Sequence, residues 1–305
     1  MSLSLKSLPA GLLMAVVLLA CPSSADVVVS SKIDTEGSVL GNIILLMLQA
    51  NGIKSLDRIE LGATPVVRAA ITSGQIDIYP EYTGNAANFY NKTGDTLWKD
   101  AAAGYATAKS LDYAARKIVW LPPAPANNAW AIALRKDVAE ANHLKSLSDF
   151  GKWVAGGGKL ALAASAEFVN SASALPAFES AYGFKLSSAQ LIVLSGGDTA
   201  ATIKAAAEQT SGANAAMVYT SDGAIEPAGL VVLSDDKHVQ PIYAPAPIIR
   251  EEILKANPAI ADILAPVFAS LDLAALQSLN AKVQVEGLSA RAVAAAYLKE
   301  KGFIK

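Results

Sequence analysis

Two stretches of this 305-residue chain set an aromatic ring, hydroxyls and a glycine turn at the end of a short apolar run. In the first, Ile76 and Ile78 alternate with polar neighbours and lead into Tyr79-Pro80-Glu81-Tyr82-Thr83-Gly84-Asn85. In the second, Ala215-Ala216-Met217-Val218-Tyr219 runs into Thr220-Ser221-Asp222-Gly223. A buried strand that ends this way offers a ring face and hydrogen-bonding groups at the carboxyl edge of a sheet. In open α/β sheets small ligands bind at that edge. Pro80 is expected to stop the first strand, because it has no N–H to give a ladder. Taken alone, Pro-Glu-Tyr-Thr-Gly also reads as a simple turn with a packed tyrosine.

Other chemistries find little support. No Gly-x-Ser-x-Gly elbow occurs, and neither histidine, His143 or His238, sits beside a nucleophile or a ligand-spaced carboxylate or thiol. No metal or cofactor is therefore expected, and no enzyme activity. A net charge of −2 with no basic stripe makes nucleic acid a poor partner. Cys21 is the only cysteine, so no intrachain disulfide forms.

The elements that position the two strand ends follow an α/β pattern. Strands are expected at 27–29, 59–62 and 76–79, separated by a buried helix over 41–48 and a helix from Pro65 to 73 capped by Thr64. Lys32, Asp34, Thr35 and Glu36 read as a polar loop between the first strand and helix. A helix over 98–117 and a strand at 118–121 precede the stiff Pro122-Pro123-Ala124-Pro125-Ala126-Asn127-Asn128 segment. There the chain crosses into a second domain that begins with the strand 130–134. The run 231–236 carries it back, a second proline-interrupted strand is expected at 240–247, and helices finish the chain. The division is lobe 1 over 26–129 plus 239–305 and lobe 2 over 130–238, with two interdomain crossings and a cleft between them. Clefts of this kind take small ligands.

Residues 1–25 read as a secretory signal peptide: Lys6, then the apolar run 12–20, which is too short to span a bilayer. Ser23-Ser24-Ala25 before Asp26 fits a cleavage site. Leu18-Leu19-Ala20-Cys21 resembles a lipobox instead, although Leu19 and Pro22 are not its usual neighbours. Either way export to the periplasm is expected, with a lipid anchor through Cys21 in the second case.

The chain from Ser31 onward resembles the substrate-binding proteins of ABC importers for quaternary-ammonium osmoprotectants such as glycine betaine, choline and carnitine. The residues that carry the likeness are Ser31-Lys32-Ile33-Asp34-Thr35-Glu36-Gly37, Thr72-Ser73-Gly74 through Asn85, Pro123-Ala124-Pro125-Ala126-Asn127-Asn128 and Tyr243-Ala244-Pro245-Ala246-Pro247. The resemblance implies a two-lobed clamshell of the type II periplasmic binding protein fold, acting as a monomer that delivers ligand to permease subunits. It also implies that Tyr82 and Tyr219 give cage rings from opposite lobes, that Trp130 falls near a third, and that Lys32 and Asn85 lie near a ligand carboxylate. Thr83, beside Tyr82, and Ser171 in the second lobe are counted with the ligand-binding residues. The family commonly has a carboxylate-binding arginine shortly after the Glu-Phe of the second lobe. Here Glu167-Phe168-Val169-Asn170 is followed by Ser171, and Ala200 stands where another cage tyrosine can occur. Loss of a charge-assisted bond of about 1.5–3 kcal/mol implies weak betaine binding, or a ligand whose carboxylate is held differently or absent. A different small polar solute, such as an amino acid, is the alternative cargo.

Overall fold

The computed structural model describes residues 26–194 and 199–305. Residues 1–25, where a signal peptide and Cys21 are expected to set export, lie outside the described residues. Among the described residues ten strands form two separate sheets: β1 (Val27–Lys32), β2 (Ser55–Gly62), β3 (Ile78–Tyr82), β4 (Ile118–Trp120), β5 (Trp130–Arg135), β6 (Leu162–Ser165), β7 (Leu191–Leu194), β8 (Ala215–Tyr219), β9 (Leu230–Val232) and β10 (Pro245–Arg250). The first sheet has the order β2-β1-β3-β10-β4 and the second β7-β6-β8-β5-β9. The two orders are the same. In each, the first strand to arrive after a crossing enters antiparallel: β10 against β3 and β4, β5 against β8 and β9. This is the expected two-lobed α/β architecture. Among the described residues no single helix is long and apolar enough to cross a membrane.

Helices cover the sheets because strands with buried faces must be sealed from water. Behind the first sheet Leu40, Ile43, Ile44 and Leu48 meet Leu264, Phe268, Leu276 and Leu298 in one core. Gly41 lets that helix approach β1: a Cβ there would lie 2.7 Å from the Ser31 Cβ. The second sheet packs Phe150, Phe168 and Phe178 against Ile132, Leu162 and Met217.

Several local expectations are corrected. The first helix spans Thr35–Ala50, not 41–48. Asp34 caps it by accepting from the Gly37 N–H at 2.8 Å, so Thr35 and Glu36 form its first turn rather than a loop. Thr64 is inside its helix (Thr64–Thr72) and caps nothing; Ala63 holds the cap position. Pro80 does not stop β3. It faces Pro247 of β10 in register, at a pair where neither ladder bond needs the missing N–H. The 98–117 segment divides into a short 3₁₀ turn, Thr96–Lys99, and a helix, Ala101–Arg116. The run at 231–236 is not wholly a return, because β9 belongs to the second sheet. The late proline strand begins at Pro245, after a crossing that runs beside the first one. The two are joined by Asn128 N–H to the Tyr243 carbonyl (3.0 Å) and Tyr243 N–H to Asn127 Oδ1 (2.8 Å).

Candidate functional site

The carboxyl ends of β1, β3 and β8, the start of β5 and the crossings surround a cavity of about 710 Å³. Tyr82, Tyr219, Trp130, Lys32 and Asn85 all line it; Thr83 and Ser171 do not. The Thr83 hydroxyl donates to the Ile242 carbonyl (2.9 Å) and accepts from the Ala244 N–H (3.1 Å), fastening β3 to the return crossing. The Ser171 hydroxyl shares a 3.0 Å bond with Ser173 after the helix Ala166–Asn170.

Tyr82 and the pair Trp130–Tyr219 come from different sheets. Trp130 and Tyr219 are register partners across β5 and β8. Their rings stack with centroids 6.4 Å apart and an interplanar angle of 21°, while Phe168 meets Trp130 edge-on at 6.0 Å. Burial, with help from the charges of Glu167 and Asp222, pushes the Tyr219 hydroxyl up to about 12. Tyr82 is buried, and its hydroxyl donates to Glu36 Oε1 at 2.8 Å. Burial and that carboxylate raise its pKa well above the usual phenol range. Both rings stay neutral and electron-rich at physiological pH.

Lys32 is held on two sides. Its Nζ bonds Glu81 Oε1 at 2.6 Å and lies 4.4 Å from the Tyr82 ring centroid. Glu81 also accepts from the Tyr79 hydroxyl, the Tyr82 N–H and Asn85 Nδ2, each at 2.8 Å. Lys32 and Asn85 are therefore fixed by one fully buried carboxylate.

The rest of the wall was missed by sequence reasoning. Asp34, Glu36, Glu167 and Asp222 line the cavity, and among its described lining residues Lys32 is the only base. Glu36 is buried, which raises its pKa, and it accepts from Asn128 Nδ2 at 3.1 Å and Asn280 Nδ2 at 3.0 Å. Asp222 accepts from the Tyr219 N–H at 2.7 Å, and burial pushes its carboxyl up to about 6. Tyr243 adds a further ring. Like Asp34, Glu36 and Asn128, it lies in a segment that carries the family likeness, which is its one signal in the sequence. Asn128 Oδ1, Trp130 Nε1 and Asn280 Oδ1 are buried on this wall without a hydrogen-bond partner among the described residues. The indole N–H lies near the Tyr219 hydroxyl and favours its ionised form, but makes no bond of proper geometry. Buried polar atoms left unpaired cost about 1–3 kcal/mol each, which a polar ligand offsets. The wall thus offers neutral rings, spare polar atoms and an excess of negative charge, a surface suited to a compact organic cation. No group of three or more metal-ligating side chains occurs among the described residues.

Comparison with known proteins agrees with this chemistry. The family described as the substrate binding domain of ABC-type glycine betaine transport system (OpuAC) matches residues 25–300. The chain is 57% identical over 293 residues to the glycine betaine-binding protein YehZ of Escherichia coli K12, covering 96% of each. It is 33% identical over 278 residues to a glycine-betaine-binding protein of Pseudomonas aeruginosa, covering 89% of this chain and 86% of that one. The solved structure of apo YehZ from Escherichia coli superposes with a TM-score of 0.81 at 58% identity, over 92% of this chain and all of that one.

Proposed function

The chain belongs to the OpuAC family of substrate-binding domains of ABC-type glycine betaine transport systems, and from that premise we propose that it captures a quaternary-ammonium solute between its lobes and hands it to the permease. It is a binding protein and not an enzyme. The observation that carries the reading is the meeting of Tyr82 from one sheet with Trp130 and Tyr219 from the other around a single cavity. A trimethylammonium head donates no hydrogen bonds, so ring faces are what hold it. Each contact contributes about 0.5–1 kcal/mol when exposed and about 2 kcal/mol or more once desolvated. Lys32 and Asn85 take the polar end of the ligand. The lobes are 26–129 plus 239–305 and 130–238; the protein works as an exported, periplasmic monomer, and 1–25 is its signal segment.

The charge balance of the wall favours a second reading of the cargo. A betaine carboxylate would face four acids and a lysine already paired to Glu81, with serine at 171 where the family commonly has arginine. Betaine binding is then weak, and a carboxylate-free cation of the choline type binds at least as well. Calorimetry with glycine betaine, choline and a panel of amino acids tests both, with Trp130 fluorescence reporting cleft closure. Saturable binding of a quaternary ammonium compound is expected. A flat response to all such compounds at millimolar concentration, with an amino acid binding instead, refutes the proposal.

A further inference from the structure

We propose that Glu36 is the positioning residue of the cage, holding Tyr82 in place from one lobe and tying it to the turn that follows Tyr219 in the other. This rests on the quaternary-ammonium reading above and deepens it. Glu36 stands in the first turn of the Thr35–Ala50 helix, where the helix dipole favours negative charge. Among the described residues no base pairs with it, since Lys32 is taken by Glu81. Its carboxylate instead collects donors from three separate places: Tyr82 at the end of β3, Asn128 in the outgoing crossing and Asn280 in the helix Leu273–Gln284.

Asn280 makes the connection between lobes. The same amide nitrogen that donates to Glu36 also donates to the Ser221 carbonyl at 2.9 Å. The Ser221 side chain itself stabilises the charged form of Glu36. One face of that helix repeats the contact in both directions. Gln277 Nε2 donates to the Thr220 carbonyl at 2.8 Å, and Gln284 Oε1 accepts from the Gly223 N–H at 3.1 Å. The turn lies so close that a Cβ on Gly223 would sit 2.0 Å from the Ala281 nitrogen. Three carboxamides at helical spacing thus bind the 220–223 turn, and the middle one shares its amide with the acid that anchors Tyr82.

Two consequences follow for the ligand. A phenol that donates to a carboxylate carries a more electron-rich ring, so Glu36 strengthens Tyr82 as a cation–π partner. The same bond makes Tyr82 sense the position of the 220–223 turn, and with it Tyr219. The cage is complete when the turn is docked on the helix, and separation of the lobes withdraws support from both rings together.

The experiment uses the mature full chain and the variants Glu36→Gln, Tyr82→Phe, their combination and Asn280→Ala. Hydrogen exchange without ligand is measured at the 220–223 amides, together with calorimetric titration by glycine betaine and choline. Glu36→Gln is expected to speed exchange in that turn, on the opposite lobe, and to weaken binding of both compounds about 10- to 100-fold, the value of one charge-assisted bond. Tyr82→Phe keeps the ring and loses the anchor, so the double variant binds no more weakly than the weaker single one. Unchanged exchange in the turn, or losses that multiply in the double variant, overturns the assignment. Asn280→Ala leaves the Glu36–Tyr82 bond in place and decides the interlobe link should Glu36→Gln fail to fold: faster exchange supports the link, and wild-type exchange refutes it. If exchange responds as stated while the wild type binds no quaternary ammonium compound, the coupling stands and the ligand reading alone falls.

Discussion

Replacing Asp222 with asparagine should make the ligand-free protein more stable at neutral pH and remove a specific part of its pH dependence. The carboxyl is 8% exposed, and burial raises its pKa from the ordinary 3.8 to about 6. Between those values the native state binds more protons than the unfolded chain. Stability from this group is therefore full below the unfolded value and is lost as pH rises through the folded one. The displacement is about 2 pH units, and at about 1.36 kcal/mol per unit it amounts to at most about 3 kcal/mol. Asparagine keeps an oxygen for the Tyr219 N–H and carries no charge to bury. Urea unfolding at intervals from about pH 3.5 to 8 measures the difference between variant and wild type. It should be near zero at the acid end, grow through the window and level off above pH about 6. Glu36 is present in both proteins, but its charge is one of the causes that raise Asp222, so that coupling falls within the measured difference. A difference that stays constant across the range would show that Asp222 is not strained by its charge, and would refute the reasoning. Saturating choline supplies a positive charge beside the acid and should move the window to lower pH.

Asp112→Ala should destabilise the first lobe by about 3–5 kcal/mol, because it strands the Arg68 guanidinium and unpairs Tyr90 and Trp120, all bonded to that buried acid. Thermal unfolding reads the loss, and betaine affinity per folded molecule should not change. Tyr219→Ala removes one ring of the stacked pair and should weaken choline binding about 10- to 30-fold in calorimetry, from a desolvated contact of about 2 kcal/mol. Lys32→Met should lower the affinity for glycine betaine more than for choline; equal losses would show that Lys32 does not meet the ligand carboxylate.

The fold was legible where apolar pattern and turn chemistry agreed. Tyr219 closes its strand and Trp130 opens the next sheet's strand where the apolar runs placed them, whereas the strand that ends at Tyr82 runs on past Pro80. Pro80 misled because a proline is judged on its own strand, whereas its tolerance here comes from Pro247, distant in sequence. Reading 32–36 as a loop hid Glu36: the Asp34 cap starts the helix six residues earlier than its apolar run does, which turns a solvated charge into a buried one. Gln277, Asn280 and Gln284 gave no local signal at all. Spaced by three and four in an alanine- and leucine-containing helix, they look like an ordinary wet face, and only the docking of a turn from the other lobe gives them partners.

The placement of charge explains why the site needs its acids as well as its rings. Lys32 and Glu81 neutralise one another in a buried pair, so the lysine leaves little positive field in the cavity. Glu36 and Asp222 have no such basic partner among the described residues; the charge of Glu36 raises the energy of ionised Asp222, and that of Asp34 raises ionised Glu36. A ligand cation between Tyr82 and Tyr219 relieves that repulsion, a gain that neutral rings cannot supply. The same gain is unavailable to a neutral solute of equal size, and a carboxylate on the ligand subtracts from it. Discrimination then arises from the energy of two buried acids as much as from contact with aromatic faces. One of those acids holds Tyr82 and the other holds the Tyr219 backbone, so on the proposed reading the charge that would select the ligand also sets the distance between the rings that would grip it.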